Sequence, residues 1–200
     1  MARIMMNTPP RTNGCMSPLD SFQIIGTIVF ILEMVIFVTC YIPSFDYEEV
    51  VISASLQGLL FATVTAFWML GTLSDPTDWL VKKYKRCSRE TVESYFHQAS
   101  LNTSDYTFCT ACQSFASKRS KHCRRCNRCV LEFDHHCIWL NNCIGKDNYK
   151  FFAGVLVSVL LFSSSFISWC IYSFARFVNN FDTFRSAFSQ VLDILCNVRQ

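Results

Sequence analysis

Three apolar segments constrain this chain more than any other feature of its sequence. They cover residues 22–42, interrupted only by Gln23 and Glu33, residues 50–73 and residues 151–175. Each is about 20 residues long or more, the length at which an α-helix crosses roughly 30 Å of hydrocarbon. A soluble chain of 200 residues rarely buries three helices that are apolar on every side. The sequence therefore predicts three transmembrane helices over these ranges.

The basic residues indicate which side of the membrane each loop faces. Thirteen of the 18 lysines and arginines lie between residues 74 and 150, whereas the short loop 43–49 has none and holds three carboxylates. By the positive-inside rule, we expect residues 74–150 and a flexible N-terminal tail, 1–21, to face the cytosol. The loop 43–49 and the C-terminal segment 176–200 are then expected on the lumenal or extracellular side.

The segment 74–106 is predicted to be a cytosolic linker. Asp75-Pro76-Thr77 ends the second helix, because proline cannot continue the hydrogen-bond ladder. The polar stretch 82–100 is expected to form a helix along the membrane surface, where basic residues are drawn to anionic lipid head groups. Nothing in this segment indicates a recognition helix, so we expect no nucleic-acid partner.

Cysteines and histidines are concentrated in the next segment, 107–150. Seven of the 12 cysteines and three of the four histidines lie there: Cys109, Cys112, His122, Cys123, Cys126, Cys129, His135, His136, Cys137 and Cys143. Cytosolic thiols stay reduced, so metal binding or catalysis is favoured over a disulfide framework. Cys-x2-Cys pairs on tight turns place two thiolates within reach of one tetrahedral zinc ion. A membrane thiol oxidoreductase, which would form reversible disulfides and hold no stoichiometric zinc, is an alternative interpretation.

Ten candidate ligands are more than two tetrahedral sites require. Two such sites use eight, which leaves two residues over. The run Asp134-His135-His136-Cys137 contains a carboxylate, a histidine and a cysteine, the grouping that makes a thiolate nucleophile. Cys137 and His135 are therefore the candidates for residues outside the metal sites. Spacing alone leaves two alternatives open: one larger cluster that uses all ten residues, and purely structural zinc with Cys137 as an ordinary spare thiol.

Residues 109–152 closely resemble the DHHC protein acyltransferases. The resemblance lies in Arg119, His122-Cys123, Cys126, Cys129-Val130, Asp134-His135-His136-Cys137, Trp139, Asn142-Cys143-Ile144-Gly145, Asn148 and Phe151-Phe152. Two apolar segments before the cluster and one after it also match, as does Asp75-Pro76-Thr77, where the family has Asp-Pro-Gly. The resemblance implies an α-helical multi-pass membrane protein with a small cytosolic Cys/His-rich two-zinc module, irregular and built of short β-hairpins.

The resemblance also implies ligands and a nucleophile. It places one zinc ion at Cys109, Cys112, His122 and Cys129, and a second at Cys123, Cys126, His136 and Cys143. It makes Cys137 the residue that carries a fatty acyl group, with His135 as its base and Asp134 orienting the histidine ring.

The activity implied is protein S-palmitoylation at the lipid bilayer. Cys137 would take the acyl group from palmitoyl-CoA and pass it to a cysteine near the membrane in cytosolic or membrane-associated protein substrates. Six basic residues are candidates for contacts with the coenzyme A phosphates: Lys118, Arg119, Lys121, Arg124, Arg125 and Arg128. A solvated face attracted to lipid head groups is the alternative for each. The endoplasmic reticulum, the Golgi and the plasma membrane all suit such a protein.

The sequence departs from the family's pattern in three places. Ile138 stands where the family usually has proline, and Ala116-Ser117 replaces a common Lys-Pro. The family's fourth span and its Thr-Thr-x-Glu motif are not found after residue 175. The alternative function is therefore that of an inactive or truncated membrane-anchored zinc-finger adaptor of the same family.

Overall fold

The computed structural model describes residues 9–42, 45–84, 87, 89–98, 102–181 and 185. In chain order, these residues form helix α1 (Ser21–Ile36), continued as π-helix over Phe37–Tyr41, α2 (Tyr47–Leu73), α3 (Trp79–Tyr84), α4 (Arg89–Gln98), a short 3-10 helix (Thr103–Asp105), six strands and α5 (Tyr149–Asn179). The strands are β1 (Tyr106–Cys109), β2 (Ser114–Ser117), β3 (Lys121–Cys123), β4 (Arg128–Val130), β5 (His135–Cys137) and β6 (Asn142–Ile144).

Helices α1, α2 and α5 contain the three apolar segments. Each helix is long and apolar enough to cross a membrane. Their outward side chains are apolar as well: Ile28, Leu59 and Leu160 are 52%, 66% and 70% exposed. A surface of this kind suits lipid, whereas soluble proteins rarely expose large apolar patches. The protein is an integral membrane protein, and the predicted fold class is confirmed by these helices, the short antiparallel strand pairs and the Cys/His groups described below.

The chain divides into two compact units, one of residues 1–30 and 62–159 and the other of residues 31–61 and 160–200. Within the second unit, the Ser165 hydroxyl donates to the Gln57 side-chain carbonyl at 3.0 Å. Hydrogen bonds of this kind hold membrane helices together, because a polar group facing hydrocarbon has no other partner. Of the predicted C-terminal segment, residues 182–184 and 186–200 lie outside the described residues, as do residues 43 and 44 of the predicted lumenal loop.

The six strands belong to the first unit and form three separate antiparallel hairpins. Strand β1 pairs with β2, β3 with β4, and β5 with β6. The residue pairs nearest the three turns are Cys109 with Ser114, Cys123 with Arg128, and Cys137 with Asn142. A two-stranded hairpin is marginal in water by itself, so these hairpins need further support.

The stretch 82–100 does not form the single helix that we predicted. Helix α3 ends at Tyr84, Cys87 is not helical, and α4 begins only at Arg89. Val92 and Phe96 of α4 are buried in a cluster with Leu80 of α3, against which Phe115 of β2 packs. The apolar residues of this stretch therefore pack against the first hairpin.

Residues 11–20 do not form the flexible tail that we expected. Backbone and side-chain hydrogen bonds join them to the second and third hairpins and to the end of α2. Residues 1–8 lie outside the described residues. No local sequence pattern predicts this attachment, because the residues that bond to 11–20 are more than 50 residues away along the chain.

Candidate functional site

The three hairpins repeat one pattern every 14 residues. Each first strand ends in a cysteine, at Cys109, Cys123 and Cys137. Four residues later, the turn has a residue with positive φ, 49°, 50° and 49° at Gln113, Asn127 and Asn141. Asparagine tolerates this left-handed conformation better than most residues, since its short polar side chain bonds locally. Our reading of the sequence missed this repeat, although His122-Cys123 and His136-Cys137 carry its signal.

The first two hairpins bring together one group of four ligands. Cys109 and Cys112 come from the first hairpin, and His122 and Cys129 come from the second. The Nδ1 atom of His122 lies 3.7, 3.3 and 3.9 Å from the sulfurs of Cys109, Cys112 and Cys129. With Zn–S near 2.3 Å and Zn–N near 2.0 Å, the edges of a tetrahedral site are about 3.5 to 3.8 Å long. The donor set therefore fits a tetrahedral metal ion.

The second and third hairpins bring together an equivalent group. Its members are Cys123, Cys126, His136 and Cys143. The Nδ1 atom of His136 lies 3.8, 3.4 and 3.7 Å from the three sulfurs. Each group thus joins two successive hairpins, so that two ions would link all three. The two sets match those that the family resemblance implied.

Electrostatics within each group also favour a bound cation. Hydrogen bonds from the protonated ring to the sulfurs of Cys109 and Cys112 raise the pKa of His122 to about 10. The pKa of His136 is raised to about 9: burial opposes the shift, and the thiols of Cys123 and Cys126 outweigh it. A neighbouring thiol lowers the pKa of Cys109, whereas Cys109 in turn raises the pKa of Cys129. Ionisation of one thiol therefore disfavours ionisation of its neighbours. A dication would stabilise all of them as thiolates.

The third hairpin has the geometry of the other two but lacks the second cysteine. Leu140 stands where they have Cys112 and Cys126, three residues after the first cysteine. One repeat further on, Lys150 and Val157 stand where a histidine and a cysteine would complete a third site. Among the described residues, Cys137 belongs to neither four-ligand group. Its thiol is therefore free of the metal sites.

Cys137 lies in an apolar cluster at the ends of two membrane helices. It is 5% exposed and clusters with Leu140 and Ile144, and Trp68 of α2 and Phe152 of α5 pack against this cluster. Burial raises the pKa of the Cys137 thiol, and hydrogen bonds from the backbone N–H groups of Leu140 and Trp139 oppose that shift. The turn thus offers hydrogen bonds to a thiolate in a setting that otherwise disfavours charge.

His135 and Cys137 share one face of strand β5. Residues two apart on a strand point the same way, and the ligand His136 between them points to the opposite face. The Nδ1 atom of His135 lies 3.3 Å from a carboxylate oxygen of Asp134, and its ring packs edge-to-face on Phe152 at 5.0 Å. Donation from Nδ1–H to this carboxylate assigns the free electron pair to Nε2.

A buried arginine connects the hairpins to the end of α2. Arg128 is 1% exposed, and it donates to Asp75 at 2.7 Å and to the Asn142 side-chain carbonyl at 2.6 Å. The Asn142 amide in turn donates to the backbone carbonyls of Gly71 and Ser74 at 2.9 and 2.8 Å. Our expectation that Arg128 contacts coenzyme A is therefore wrong, because its guanidinium is enclosed by these partners.

The other candidate contacts for coenzyme A lie on the surface around the second hairpin. Lys118, Arg119, Lys121, Arg124 and Arg125 are all exposed. Two of these side chains have carboxylate neighbours: Arg119 lies 3.1 Å from Glu132, and Arg125 lies 3.3 Å from Asp20. Exposed pairs of this kind are weak, so either arginine can exchange its partner for another anion.

Comparison with known proteins identifies relatives for the Cys/His-rich half of the chain. Residues 102–198 match the family model described as DHHC palmitoyltransferase. Over 120 residues, the chain is 34% identical to the palmitoyltransferase ZDHHC8 of Drosophila melanogaster, covering 58% of this chain and 13% of that protein. Identity is 48% over 64 residues to ZDHHC18-A of Danio rerio, covering 32% and 14%. It is 37% over 83 residues to ZDHHC18 of Rattus norvegicus, covering 42% and 21%. The match thus spans 13% to 21% of these curated relatives' own length.

Proposed function

This chain belongs to the DHHC palmitoyltransferase family, and we propose that it is a protein S-acyltransferase that carries a fatty acyl group on Cys137. The observation that supports this most is the position of that thiol. It lies in a turn built like a metal-binding turn, yet outside both metal groups and against the ends of α2 and α5. The adaptor interpretation accounts for the metal groups but gives this thiol no role.

The first step forms a thioester on Cys137. Its sulfur, as thiolate, attacks the carbonyl carbon of palmitoyl-CoA, and the bond from that carbon to the coenzyme A sulfur breaks. His135 removes the thiol proton through Nε2 and returns it to the departing coenzyme A thiolate. Asp134 accepts a hydrogen bond from Nδ1 and stabilises the imidazolium, the role that a carboxylate has in a catalytic triad.

The second step transfers the acyl group to a protein. The thiol of a substrate cysteine loses its proton to His135 and attacks the Cys137 thioester, so that the bond between the acyl carbon and Cys137 sulfur breaks. The Cys137 thiolate is regenerated and recovers its proton. One thioester is exchanged for another, so the reaction needs positioning and a competent thiolate more than a strong acid.

The place of Cys137 suits a lipid substrate. Burying an acyl chain is favourable by about 0.8 kcal/mol per CH₂ group. The acyl chain is therefore expected on the apolar side of the Cys137 thiol. Trp68, Phe152 and Val155 supply that side, from the ends of α2 and α5. The coenzyme A head group then stays in water, where Arg119, Lys121, Arg124 and Arg125 are available for its phosphates.

Two zinc ions have a structural role in this proposal. Cys109, Cys112, His122 and Cys129 would hold one, and Cys123, Cys126, His136 and Cys143 the other. Three small hairpins lack a core of their own, and a closed tetrahedral site supplies folding free energy in its place. The second ion would hold both strands of the hairpin that carries Cys137.

The protein sits in the membrane with its Cys/His-rich module in the cytosol, on this proposal. The concentration of lysine and arginine between residues 74 and 150 supports that orientation. Coenzyme A thioesters and reduced thiols are both available on the cytosolic side. Substrates are expected to be cytosolic or membrane-associated proteins with a cysteine near the bilayer, in the endoplasmic reticulum, Golgi or plasma membrane.

The test is thioester labelling of the purified, zinc-loaded protein with an alkyne-tagged palmitoyl-CoA. We expect label on the wild type that hydroxylamine removes, none on Cys137→Ser, and much less on His135→Ala. Cys87→Ser, which removes an exposed thiol outside the module, is the matched control and should label like the wild type. A folded, zinc-loaded wild type that takes up no label would overturn the proposal in favour of the adaptor.

A further inference from the structure

The turn of the third hairpin differs from the other two in having no metal ligand of its own. In the first two hairpins, both cysteines of the turn belong to a metal group, so a bound ion would fix the turn. In the third hairpin, Leu140 replaces the second cysteine and Cys137 lies outside both groups. The ligands His136 and Cys143 hold its strands, but no metal ligand lies in the turn between Ile138 and Asn141.

Residues 11–20, the N-terminal strap, bind this turn directly. Arg11 donates from its guanidinium to the Asn141 backbone carbonyl at 2.9 Å. The Asn141 side-chain amide donates to the carbonyls of Gly14 and Pro18 at 3.1 and 3.2 Å. Asn141 is 1% exposed, and this one side chain therefore holds both its own left-handed turn and the strap.

The strap is itself anchored on both sides of the turn. The Gly14 N–H donates to the Thr72 carbonyl of α2 at 2.7 Å, and the Arg11 N–H donates to the Cys126 carbonyl at 2.9 Å. Buried Arg128 donates to the Thr12 carbonyl at 2.8 Å. These bonds fix the strap to the second hairpin and to a membrane helix, so its contacts can hold the turn in place.

Gly14 permits the closest approach of the strap to the turn. A Cβ atom on this residue would lie 2.0 Å from the Leu140 backbone oxygen and 2.8 Å from the Thr72 methyl group. Such a distance to backbone cannot be relieved by rotating a side chain. Any other residue at position 14 therefore forces the strap and the turn apart.

We propose that the N-terminal strap replaces the missing metal ion as the clamp on the third turn and thereby positions Cys137 for acyl transfer. The strap residues are positioning residues, since Arg11, Gly14 and Pro18 form hydrogen bonds with Asn141 and not with the thiol. Asp20 of the strap acts on the Cys137 thiol through its charge. The clamp would keep the N–H groups of Trp139 and Leu140 directed at the Cys137 sulfur. This second part rests on the acyltransferase function proposed above; the clamp itself does not.

Hydrogen–deuterium exchange on the zinc-loaded protein tests the clamp. Gly14→Ala should speed exchange in residues 138–142 by about tenfold or more, since several hydrogen bonds are lost together. Exchange in the metal-held turns, residues 110–113 and 124–127, should stay unchanged, and two zinc ions should remain bound. Gly58→Ala is the matched control, because a Cβ there meets nothing within 4 Å.

A second variant keeps the test decisive if Gly14→Ala fails to fold. Asn141→Gly retains the positive φ at no strain and removes the side chain with its amide donors, so it should also speed exchange in residues 138–142. Asn127→Gly makes the same change at the equivalent position of the second hairpin and should leave the third turn unaffected. Unchanged exchange in both Gly14→Ala and Asn141→Gly, or equal acceleration in all three turns, would overturn the clamp.

The positioning role has a separate kinetic readout. Gly14→Ala should lower the rate constant of Cys137 self-acylation by about tenfold and leave the KM for palmitoyl-CoA within about twofold. Arg11→Lys, which keeps a donor near Asn141, should retain more activity than Arg11→Ala. Faster exchange with an unchanged acylation rate would overturn positioning but not the clamp. A wild type that takes up no acyl group would contradict the acyltransferase function, and the exchange data would still decide on the clamp.

Discussion

Leu140 stands three residues after Cys137, the place that a second cysteine takes in both metal-binding hairpins. The backbone N–H of that third residue bonds the first cysteine of each hairpin, at Cys109, Cys123 and Cys137 alike. The third hairpin therefore keeps a turn suited to a thiolate while its thiol stays outside the metal groups. This relationship gives a structural reason why one cysteine of the cluster is available for chemistry.

Restoring the second cysteine should create a partial metal site. In Leu140→Cys, two thiols of the third turn can bind added Zn²⁺, so micromolar zinc should block palmitoyl labelling of the variant, and a chelator should restore it. Labelling measured at increasing zinc concentration provides the readout. Leu140→Ala, which loses similar packing but gains no thiol, should show no such sensitivity. Equal zinc inhibition of both variants would contradict the equivalence of the three turns.

Loss of either metal group should halve the zinc content, but with different consequences for the thiol. Cys112→Ser and Cys126→Ser should each bind one zinc ion instead of two, as measured by elemental analysis. The second group includes His136 and Cys143, which flank Cys137 on the two strands of its hairpin. Cys126→Ser should therefore lose about tenfold more labelling than Cys112→Ser. Equal losses would show that the second group has no special connection to the thiol.

Removing the buried arginine should destabilise the protein strongly. Arg128→Ala removes the guanidinium donors of Asp75 and of the Asn142 carbonyl, and breaking such a pair costs about 3 kcal/mol. Asp75 keeps its bond from the Thr77 N–H, and Asn142 keeps its bond from the Cys143 N–H. Asp75 is 31% exposed, so water can partly replace the lost donor. Thermal unfolding in detergent should show a clear drop in the midpoint. The control Arg124→Ala, an exposed neighbour, should change it little; equal effects would contradict the assigned network.

Zinc affinity should rise with pH through the neutral range. The pKa of His122 is raised to about 10 and that of His136 to about 9, so both rings are protonated at pH 7 until a metal ion binds. Binding then releases at least one proton per site. Apparent affinity should therefore increase by at least about tenfold per pH unit, up to the raised pKa values. Competition with a chelator at pH 6, 7 and 8 measures this, and affinity independent of pH would contradict it.

Local sequence patterns predicted what local contacts determine. Apolar length alone identified the membrane helices α1, α2 and α5, and the spacing of cysteines and histidines identified donors that the structure brings together. Both depend on residues close in the chain. The Asp-Pro sequence at residues 75–76 likewise marked the end of α2 at Leu73.

What sequence did not predict depends on contacts across long separations. The sequence placed Arg128 among the surface cations. In the structure it is bonded to Asp75, which lies 53 residues away in the chain. The strap looked like a free tail, although Gly14 and Asn141 are 127 residues apart and directly bonded. The spacing of residues in the sequence does not predict such contacts, because a single glycine or asparagine is compatible with many loops.

Native mass spectrometry after incubation with palmitoyl-CoA tests whether Cys137 carries the acyl group, since it detects zinc and the acyl group on the same molecule. We expect wild-type protein with two zinc ions and one acyl group, and Cys137→Ser with two zinc ions and no acyl group. An acyl group retained by Cys137→Ser, or an acylated wild type that has lost a zinc ion, would contradict it.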